Sequence, residues 1–153
     1  MVQKFLIKKG NIFESKYDII VNPTNSIGVM GKGLAAKFKE EFPVECEEYN
    51  KLSKEYQKKR QHPVLMYPII FDTTPYNILM FPTKIHWKYP SEMRFIETGL
   101  DACKTLLKNY REPLSIAFPM LGCGLGGLKK KEVARLIYQK FSDYEGLVEL
   151  YHE

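Results

Sequence analysis

Residues 19–33 have the sequence Ile19-Ile20-Val21-Asn22-Pro23-Thr24-Asn25-Ser26-Ile27-Gly28-Val29-Met30-Gly31-Lys32-Gly33. The apolar triplet at the start is typical of a buried strand that ends at Asn22-Pro23. After the glycines, Leu34, Phe38 and Phe42 have the four-residue spacing of a helix face, which Pro43 ends. Glycines between a strand and a helix let main-chain N–H groups surround an anion at the positive end of the helix. This stretch therefore predicts an anion-binding turn at the edge of an α/β sheet.

A second glycine-rich turn, Gly122-Cys123-Gly124-Leu125-Gly126-Gly127, lies near the other end of the chain. It follows a strand predicted over Leu114–Phe118 and precedes a helix predicted over Lys129–Phe141. Ser26 and Gly33 break the P-loop pattern in the first turn. The second turn fits G-x-G-x-x-G between a strand and a helix, but the match to a dinucleotide site is weak because the further strand and acid of a Rossmann half are missing. Two such turns predict a ligand with more than one phosphate, or a phosphate and a sugar.

Strand and helix patterns alternate along the rest of the chain. We predict an edge strand over Val2–Lys8, a helix over Val44–Lys59, strands over Val64–Phe71 and Tyr76–Phe81, a helix from an N-cap at Ser91 to about Tyr110, and a last strand over Leu147–Tyr151. This alternation predicts an α/β sheet covered on both faces, with ligands at the carboxyl ends of the strands. We expect a single domain over residues 1–153, because this length is close to the commonest domain size.

The composition narrows the class of protein. The chain is 44% hydrophobic and 27% charged, as folded soluble proteins are, and no apolar stretch approaches the roughly 18 residues of a membrane span. The N-terminus has no signal-peptide apolar block, so we expect a cytoplasmic protein without membrane contacts. Three cysteines without Cys-x-x-Cys spacing predict reduced thiols and no metal site. The net charge of +5 fits a nucleic-acid partner or simply solvated helix surfaces.

Three further polar or aromatic features leave alternatives open. Asn22 and Asn25 either shape their turn or bind sugar hydroxyls. Lys84 is either an ordinary surface lysine or a nucleophile whose pKa a nearby cation and partial burial lower. His86 is either a structural or stacking residue or an acid–base group, and Trp87 is either a core side chain or a stacking platform for a base. His62 and His152 give no functional signal.

Four motifs in the expected order resemble the macro domain, the ADP-ribose-binding module, and they cover essentially the whole chain. The motifs are Gly10-Asn11-Ile12, Val21–Asn25, Gly28–Gly33 and Pro119–Gly127. The resemblance implies a three-layer α/β/α fold with a mixed central sheet. Within the family, Val29–Ala35, Phe81–Trp87 and Gly122–Leu128 are similar to the DarG-type branch. That branch contains antitoxins that remove ADP-ribose from thymidine bases of DNA modified by a partner toxin, and it is related to the terminal ADP-ribose protein glycohydrolases.

The resemblance also implies a role for each matching residue. Lys84 corresponds to the catalytic lysine of the branch, Asn11 with Ile12 would border the adenine, and Asn25 would meet the hydroxyls of the distal ribose. The main-chain amides of both turns would hold the diphosphate: Gly28, Val29, Met30, Gly31, Lys32 and Gly33, and Gly122, Cys123, Gly124, Leu125, Gly126 and Gly127. Further ligand contacts are expected at Asn22, Thr83, Pro119 and Leu121, and DNA contacts at His86 and Trp87. No metal or cofactor is expected.

The function implied is that of an ADP-ribosyl glycohydrolase that releases ADP-ribose from thymidine-linked sites in DNA through a lysine nucleophile. The protein glycohydrolases carry an acid where this chain has Gly126, so that glycine favours the DNA-directed reaction. The expected partners are ADP-ribose, ADP-ribosylated single-stranded DNA and a DNA ADP-ribosyltransferase toxin, and the expected state is a monomer. Three alternatives are a reader without catalysis, a hydrolase of ADP-ribose-1″-phosphate and a hydrolase of ADP-ribosylated protein.

Overall fold

A computed structural model describes residues 5–152, which contain six strands, four α-helices and one short 3-10 helix. In chain order these are β1 (Phe5–Lys9), the 3-10 helix (Ile12–Glu14), β2 (Ile19–Asn25), α1 (Gly33–Glu41), α2 (Pro43–Lys58), β3 (Ile69–Phe71), β4 (Asn77–Lys84), α3 (Met93–Leu107), β5 (Ile116–Pro119), α4 (Lys130–Phe141) and β6 (Val148–His152).

The strands form one mixed sheet in the order β1-β6-β5-β2-β4-β3. Neighbouring strands are parallel, except that β3 runs antiparallel to β4. The carboxyl ends of the five parallel strands therefore lie along one edge of the sheet, where α/β folds bind their ligands.

Helices cover both faces of this sheet. Alternate residues of a strand point to opposite faces, and in β4 Leu79 and Phe81 join the core under α3 and α4, whereas Ile78 and Met80 join the core under α1 and α2. All four side chains are fully buried, which explains why β4 is a continuous apolar run. The predicted three-layer α/β/α arrangement with a mixed sheet is confirmed.

Most predicted elements are confirmed to within two or three residues, and the largest difference is at the start of β3. Strand β2 continues through Pro23 to Asn25, because that segment keeps pairing with β4, although the register shifts between Thr24 and Asn25. The strand predicted over Val64–Phe71 shortens to β3, because the main-chain N–H groups of Val64 and Met66 donate to side chains of Gln57 and Ser26 instead of to a strand.

Ser91 does not cap α3. The N-cap of that helix is Glu92, and the buried Ser91 hydroxyl donates to Thr83 Oγ1 at 3.3 Å instead. In the predicted first strand, residues 2–4 lie outside the described residues.

Two further features are the cysteine thiols and the lengths of the helices. Cys46, Cys103 and Cys123 are all free thiols, as expected. Within the described part of the chain, residues 5–152, no helix has the length and apolar character needed to cross a bilayer.

Helix α3 packs closely against Phe81 of the sheet at Gly99, and this contact allows a prediction about stability. A Cβ added there would lie 2.4 Å from Cζ of the fully buried Phe81. We expect Gly99→Ala to lower the free energy of unfolding by about 1–2 kcal/mol net, because an overpacking cost of about 2–3 kcal/mol outweighs the gain in helix propensity of roughly 1 kcal/mol. Denaturant unfolding measures the change, and the exposed neighbour Thr98→Ala serves as the control. A Gly99→Ala protein as stable as the wild type would contradict this close packing.

Candidate active site

A cavity of about 1130 Å³ opens at the carboxyl edge of the parallel strands. Its lining comes from the residues at and after the ends of β1, β2, β4, β5 and β6, together with both glycine-rich turns. The volume lies just above the usual range of small-molecule sites, which is roughly 300–1,000 Å³. The cavity is therefore large enough for a ligand of dinucleotide size.

Most of the predicted site residues line this cavity. They are Asn11, Ile12, Asn25, Val29, Gly31, Lys32, Gly33, Thr83, Lys84, Trp87, Pro119, Gly122, Cys123, Gly124, Leu125 and Gly126. The predicted residues outside the lining are Asn22, Gly28, Met30, His86, Leu121 and Gly127.

The expected ligand contact of Asn22 does not fit its position. The side chain is fully buried, and its Nδ2 donates to the sulfur atoms of Met80 at 3.3 Å and Met30 at 3.6 Å. Met30 and Leu121 are also buried, at 5% and 0% exposure. Strand β2 points Asn22 toward Met30 and the core under α1 and α2, whereas Leu121 belongs to the core under α3 and α4.

The first turn is shaped by Asn25, the alternative that residue spacing left open. Its Oδ1 accepts hydrogen bonds from the main-chain N–H groups of Ile27 (3.2 Å) and Val29 (3.1 Å), and its Nδ2 donates to Val29 O at 2.8 Å. Helix α2 holds the turn from behind, because Tyr49 Oη donates to Asn25 O at 2.8 Å and Asn50 donates to Gly28 O at 3.0 Å. The turn is therefore fixed before any ligand binds.

The N-terminus of α1 faces the cavity. Lys32 caps the helix without a side-chain hydrogen bond, and the first turn carries no acidic residue. Gly33, Leu34 and Ala35 of this first turn all line the cavity. The N–H groups that a helix leaves unpaired at its start, with the positive end of its dipole, are therefore available to an anion.

The second turn is held by main-chain hydrogen bonds to its neighbours Leu128 and Ser91. Leu128 N donates to Gly122 O at 2.8 Å, and Ser91 N donates to Gly126 O at 3.0 Å. A Cβ at Gly126 would lie 2.3 Å from Ser91 Oγ and 2.5 Å from Gly122 O, so this position has no room for any side chain. Leu125 at the tip would be 3.8 Å from a Cβ added at Gly33, so the two turns approach each other.

Burial has opposite effects on the two candidate nucleophiles of the cavity. Lys84, the last residue of β4, is partly buried, and its Nζ donates to Trp87 O at 3.4 Å. Desolvation lowers the pKa of its amine. Burial raises the pKa of the Cys123 thiol to about 11, against an opposing effect of Lys130. Near neutral pH, burial therefore promotes the neutral, nucleophilic amine of Lys84 and suppresses the thiolate.

The electrostatic character of the cavity is strongly positive. Six lysines line it, namely Lys9, Lys32, Lys37, Lys84, Lys88 and Lys130, and among the described residues no aspartate or glutamate does. Residues 5–152 bring together no group of three His, Cys, Asp or Glu side chains that could hold a metal ion. The cavity is suited to an anionic ligand that main-chain N–H groups and lysines neutralise.

Sequence reasoning missed several lining residues. These are Lys9, Gly10, Pro23, Thr24, Leu34, Ala35, Lys37, Lys88, Met120, Lys130, Tyr151 and His152. Tyr151 and His152 end β6, and Lys9 ends β1, which pairs with it. The rule that ligands gather at the carboxyl ends of parallel strands would have included them, had the position of β6 inside the sheet been known.

Comparison with known proteins finds relatives that all point to one family. Residues 21–137 match the family model of the Macro domain. The chain is 37% identical over 139 residues to the DNA ADP-ribosyl glycohydrolase of Thermus aquaticus, covering 91% of this chain and 38% of that protein. It is 34% identical over 148 residues to the protein of the same name from Mycobacterium tuberculosis, covering 91% of this chain and 40% of that protein. The chain thus spans about two-fifths of the length of these relatives.

Solved structures agree with the sequence matches. The macrodomain of Thermus aquaticus DarG superposes with a TM-score of 0.84 at 34% identity, covering 97% of both chains. The structure described as Thermosipho africanus DarTG in complex with ADP-ribose superposes with a TM-score of 0.82 at 30% identity, covering 95% of this chain and 41% of that one. A family match over most of its length, and a relative of 34% identity matched almost end to end, show that this chain belongs to the macro domain family.

Proposed function

We propose that this chain binds ADP-ribose and hydrolyses the bond between ADP-ribose and a thymine base in single-stranded DNA. The observation that carries the proposal is the partly buried Lys84 amine with a lowered pKa, in a lysine-lined cavity between two main-chain turns. The names of the relatives support the substrate class, and the DarTG structure in complex with ADP-ribose supports the ligand.

In the proposed complex the ligand lies across the carboxyl edge of the sheet. Asn11 and Ile12 border the adenine, the N–H groups of the two turns and of α1 bind the diphosphate, and the distal ribose lies near Asn25 and Lys84. Anchoring the diphosphate holds the anomeric carbon of that ribose beside one amine. Such positioning contributes a large share of the rate in intramolecular reactions.

The proposed reaction uses Lys84 as the nucleophile. Its neutral Nζ attacks the anomeric carbon, and the bond from that carbon to the base breaks, so that the base leaves with the electron pair and takes up a proton. The lysine adduct opens to an imine as the ring oxygen is protonated. Water then adds to the imine carbon and releases the amine, and the free aldehyde closes to ADP-ribose. The net reaction consumes one water and yields ADP-ribose and the unmodified base.

The substrate is tested by offering two ADP-ribosylated polymers side by side. ADP-ribosylated single-stranded DNA and glutamate-ADP-ribosylated protein are incubated with the protein, and release of ADP-ribose is followed by chromatography. We expect release from the DNA and not from the protein. Release from the protein alone would overturn the assignment, and binding of ADP-ribose by calorimetry without release from either substrate would make the protein a reader.

We further propose that the protein is a cytoplasmic monomer that counteracts a DNA ADP-ribosyltransferase toxin. A relative from Thermosipho africanus, 32% identical over 167 residues, is named as a fusion of such a transferase with a DNA ADP-ribosyl glycohydrolase, which supports this pairing.

The pH dependence of turnover separates a nucleophilic Lys84 from a merely cationic one. Because only the neutral amine attacks, we expect the single-turnover rate to rise with pH and to level off above the pKa of Lys84. Desolvation places that inflection below the ordinary pKa of lysine. Quench-flow measurements between pH 6 and pH 10, with circular dichroism as the folding control, give the profile. A rate that falls with rising pH would instead indicate a role for the charged ammonium group.

A further inference from the structure

We propose that the turn formed by residues 86–89, which we call the aromatic turn, is a stacking platform for a DNA base next to the ADP-ribosylated nucleotide. The inference rests on the proposed function, because the modified nucleotide must place its anomeric carbon at Lys84. It adds a specificity-determining surface at the mouth of the ADP-ribose cavity that recognises single-stranded DNA itself.

The first observation is exposure of large aromatic side chains at the cavity mouth. Trp87 is 52% exposed and Tyr89 is 63% exposed. Trp87 is also part of the cavity lining, so it is not a core side chain. Exposed aromatic rings at the entrance of a site offer flat apolar faces to a ligand that extends beyond the cavity.

The second observation is that the aromatic turn is held in shape before a ligand arrives. Tyr89 N donates to His86 O at 3.1 Å, and Lys88 N donates to His86 Nδ1 at 3.1 Å. The His86 ring centroid lies 5.3 Å from that of Trp87 and 5.8 Å from that of Tyr89. The three rings therefore form one continuous and preorganised aromatic surface, which lowers the entropic cost of binding.

The third observation is charge. Lys88 Nζ lies 5.5 Å from the Trp87 ring centroid, and Lys88 also lines the cavity with five other lysines. Aromatic faces next to a positive groove are the arrangement that binds single-stranded nucleic acid, because each base stacks on a ring while the phosphates meet cations. Bases inside a duplex do not expose their faces in this way. The chemistry thus selects a single strand over a duplex.

The fourth observation connects the aromatic turn to the reacting group. Trp87 O accepts the hydrogen bond of Lys84 Nζ at 3.4 Å, so the platform begins at the amine. A strand whose modified base lies at Lys84 therefore has its neighbouring nucleotide within reach of Trp87. Substitution of the Trp87 side chain keeps this main-chain carbonyl.

Trp87 is the only tryptophan of the chain, so tryptophan fluorescence comes from this one side chain of the platform. Titration of the wild type with an unmodified thymidine decamer is expected to quench this fluorescence, and added salt should weaken the effect. A duplex of the same sequence should quench far less. Absence of quenching at millimolar decamer, or quenching by the duplex alone, would overturn the proposal.

The kinetic test compares two substrates that share the ADP-ribosylated thymidine. We expect Trp87→Ala to raise KM for an ADP-ribosylated decamer by roughly 5- to 150-fold, the range that base–aromatic stacking gives on alanine substitution. The KM for the ADP-ribosylated mononucleotide should rise far less, because that substrate has no neighbouring base to stack on Trp87. Trp87→Phe should restore most of the affinity, and Tyr138→Ala, an aromatic residue of similar exposure on α4, should change neither substrate.

The outcomes separate this inference from the proposed function. If Trp87→Ala raised KM equally for the decamer and the mononucleotide, Trp87 would act only on the ADP-ribosylated nucleotide, and a platform for the neighbouring base would be refuted. Unaltered kinetics on both substrates would refute it too, while leaving the glycohydrolase intact. A wild type that hydrolyses neither substrate but is quenched by the decamer would refute the proposed function and retain the platform.

Discussion

Lys84→Arg is expected to reduce hydrolysis of ADP-ribosylated DNA by about a thousandfold or more, since removal of a nucleophile typically has an effect of at least this size. Arginine has a side chain of similar length and keeps the positive charge, but it is never neutral at accessible pH. Since Lys84 Nζ donates to the main-chain carbonyl of the exposed residue Trp87, the fold loses little with this change. The dissociation constant for ADP-ribose, measured by calorimetry, should stay within about threefold, because main-chain groups provide most of the anion binding.

The matched control is Lys130→Arg, at the start of α4 in the same cavity lining. A lysine that only neutralises phosphate tolerates arginine, so turnover of this variant should be close to that of the wild type. Reduction with borohydride during turnover should trap the imine as a covalent adduct on Lys84, visible by mass spectrometry of the wild type and absent from Lys84→Arg. Retained turnover in Lys84→Arg would show that the amine does not attack the ribose.

The two glycine-rich turns were predictable from sequence because their signal is local. Glycines between an apolar run and a helical period identify a strand, a turn and a helix without knowledge of any distant residue. The role of Asn25 was not predictable in the same way, because it depends on the length of β2, which pairing with β4 extends beyond Pro23. Asn22 was misplaced for the same reason, since only the sheet defines which face of β2 is buried.

Long-range contacts account for what sequence reasoning missed at the site. Ser91 resembles an N-cap locally, but its hydroxyl bonds to Thr83 at the end of another element. Tyr151 reaches the cavity because β6 lies between β1 and β5, an order that no local pattern encodes. The positive charge of the cavity also depends on the fold. Its six lysines are scattered along the chain, and only the fold brings them together in a lining that contains no aspartate or glutamate among the described residues.

The substitution Gly126→Glu tests whether the acid of the related protein glycohydrolases could simply be restored in this chain. A Cβ at this position would approach Gly122 O to 2.5 Å, and a main-chain oxygen inside a closed turn has nowhere to move. We therefore expect Gly126→Glu to lack activity on glutamate-linked ADP-ribose and to weaken ADP-ribose binding about tenfold to a hundredfold. This range corresponds to roughly 1–3 kcal/mol, the usual cost of overpacking.

Gly126→Ala isolates the steric part of this effect, because it adds the Cβ without a charge. It should weaken ADP-ribose binding nearly as much as Gly126→Glu and should lower the melting temperature by several degrees. Gly124→Ala is the control in the same turn, since a Cβ there meets nothing within 4 Å and its melting temperature should match the wild type. If Gly126→Ala bound ADP-ribose as tightly as the wild type while Gly126→Glu did not, charge would be the cause instead. The acid at position 126 would then be disfavoured because it repels the diphosphate, and the second turn would accommodate an uncharged side chain there.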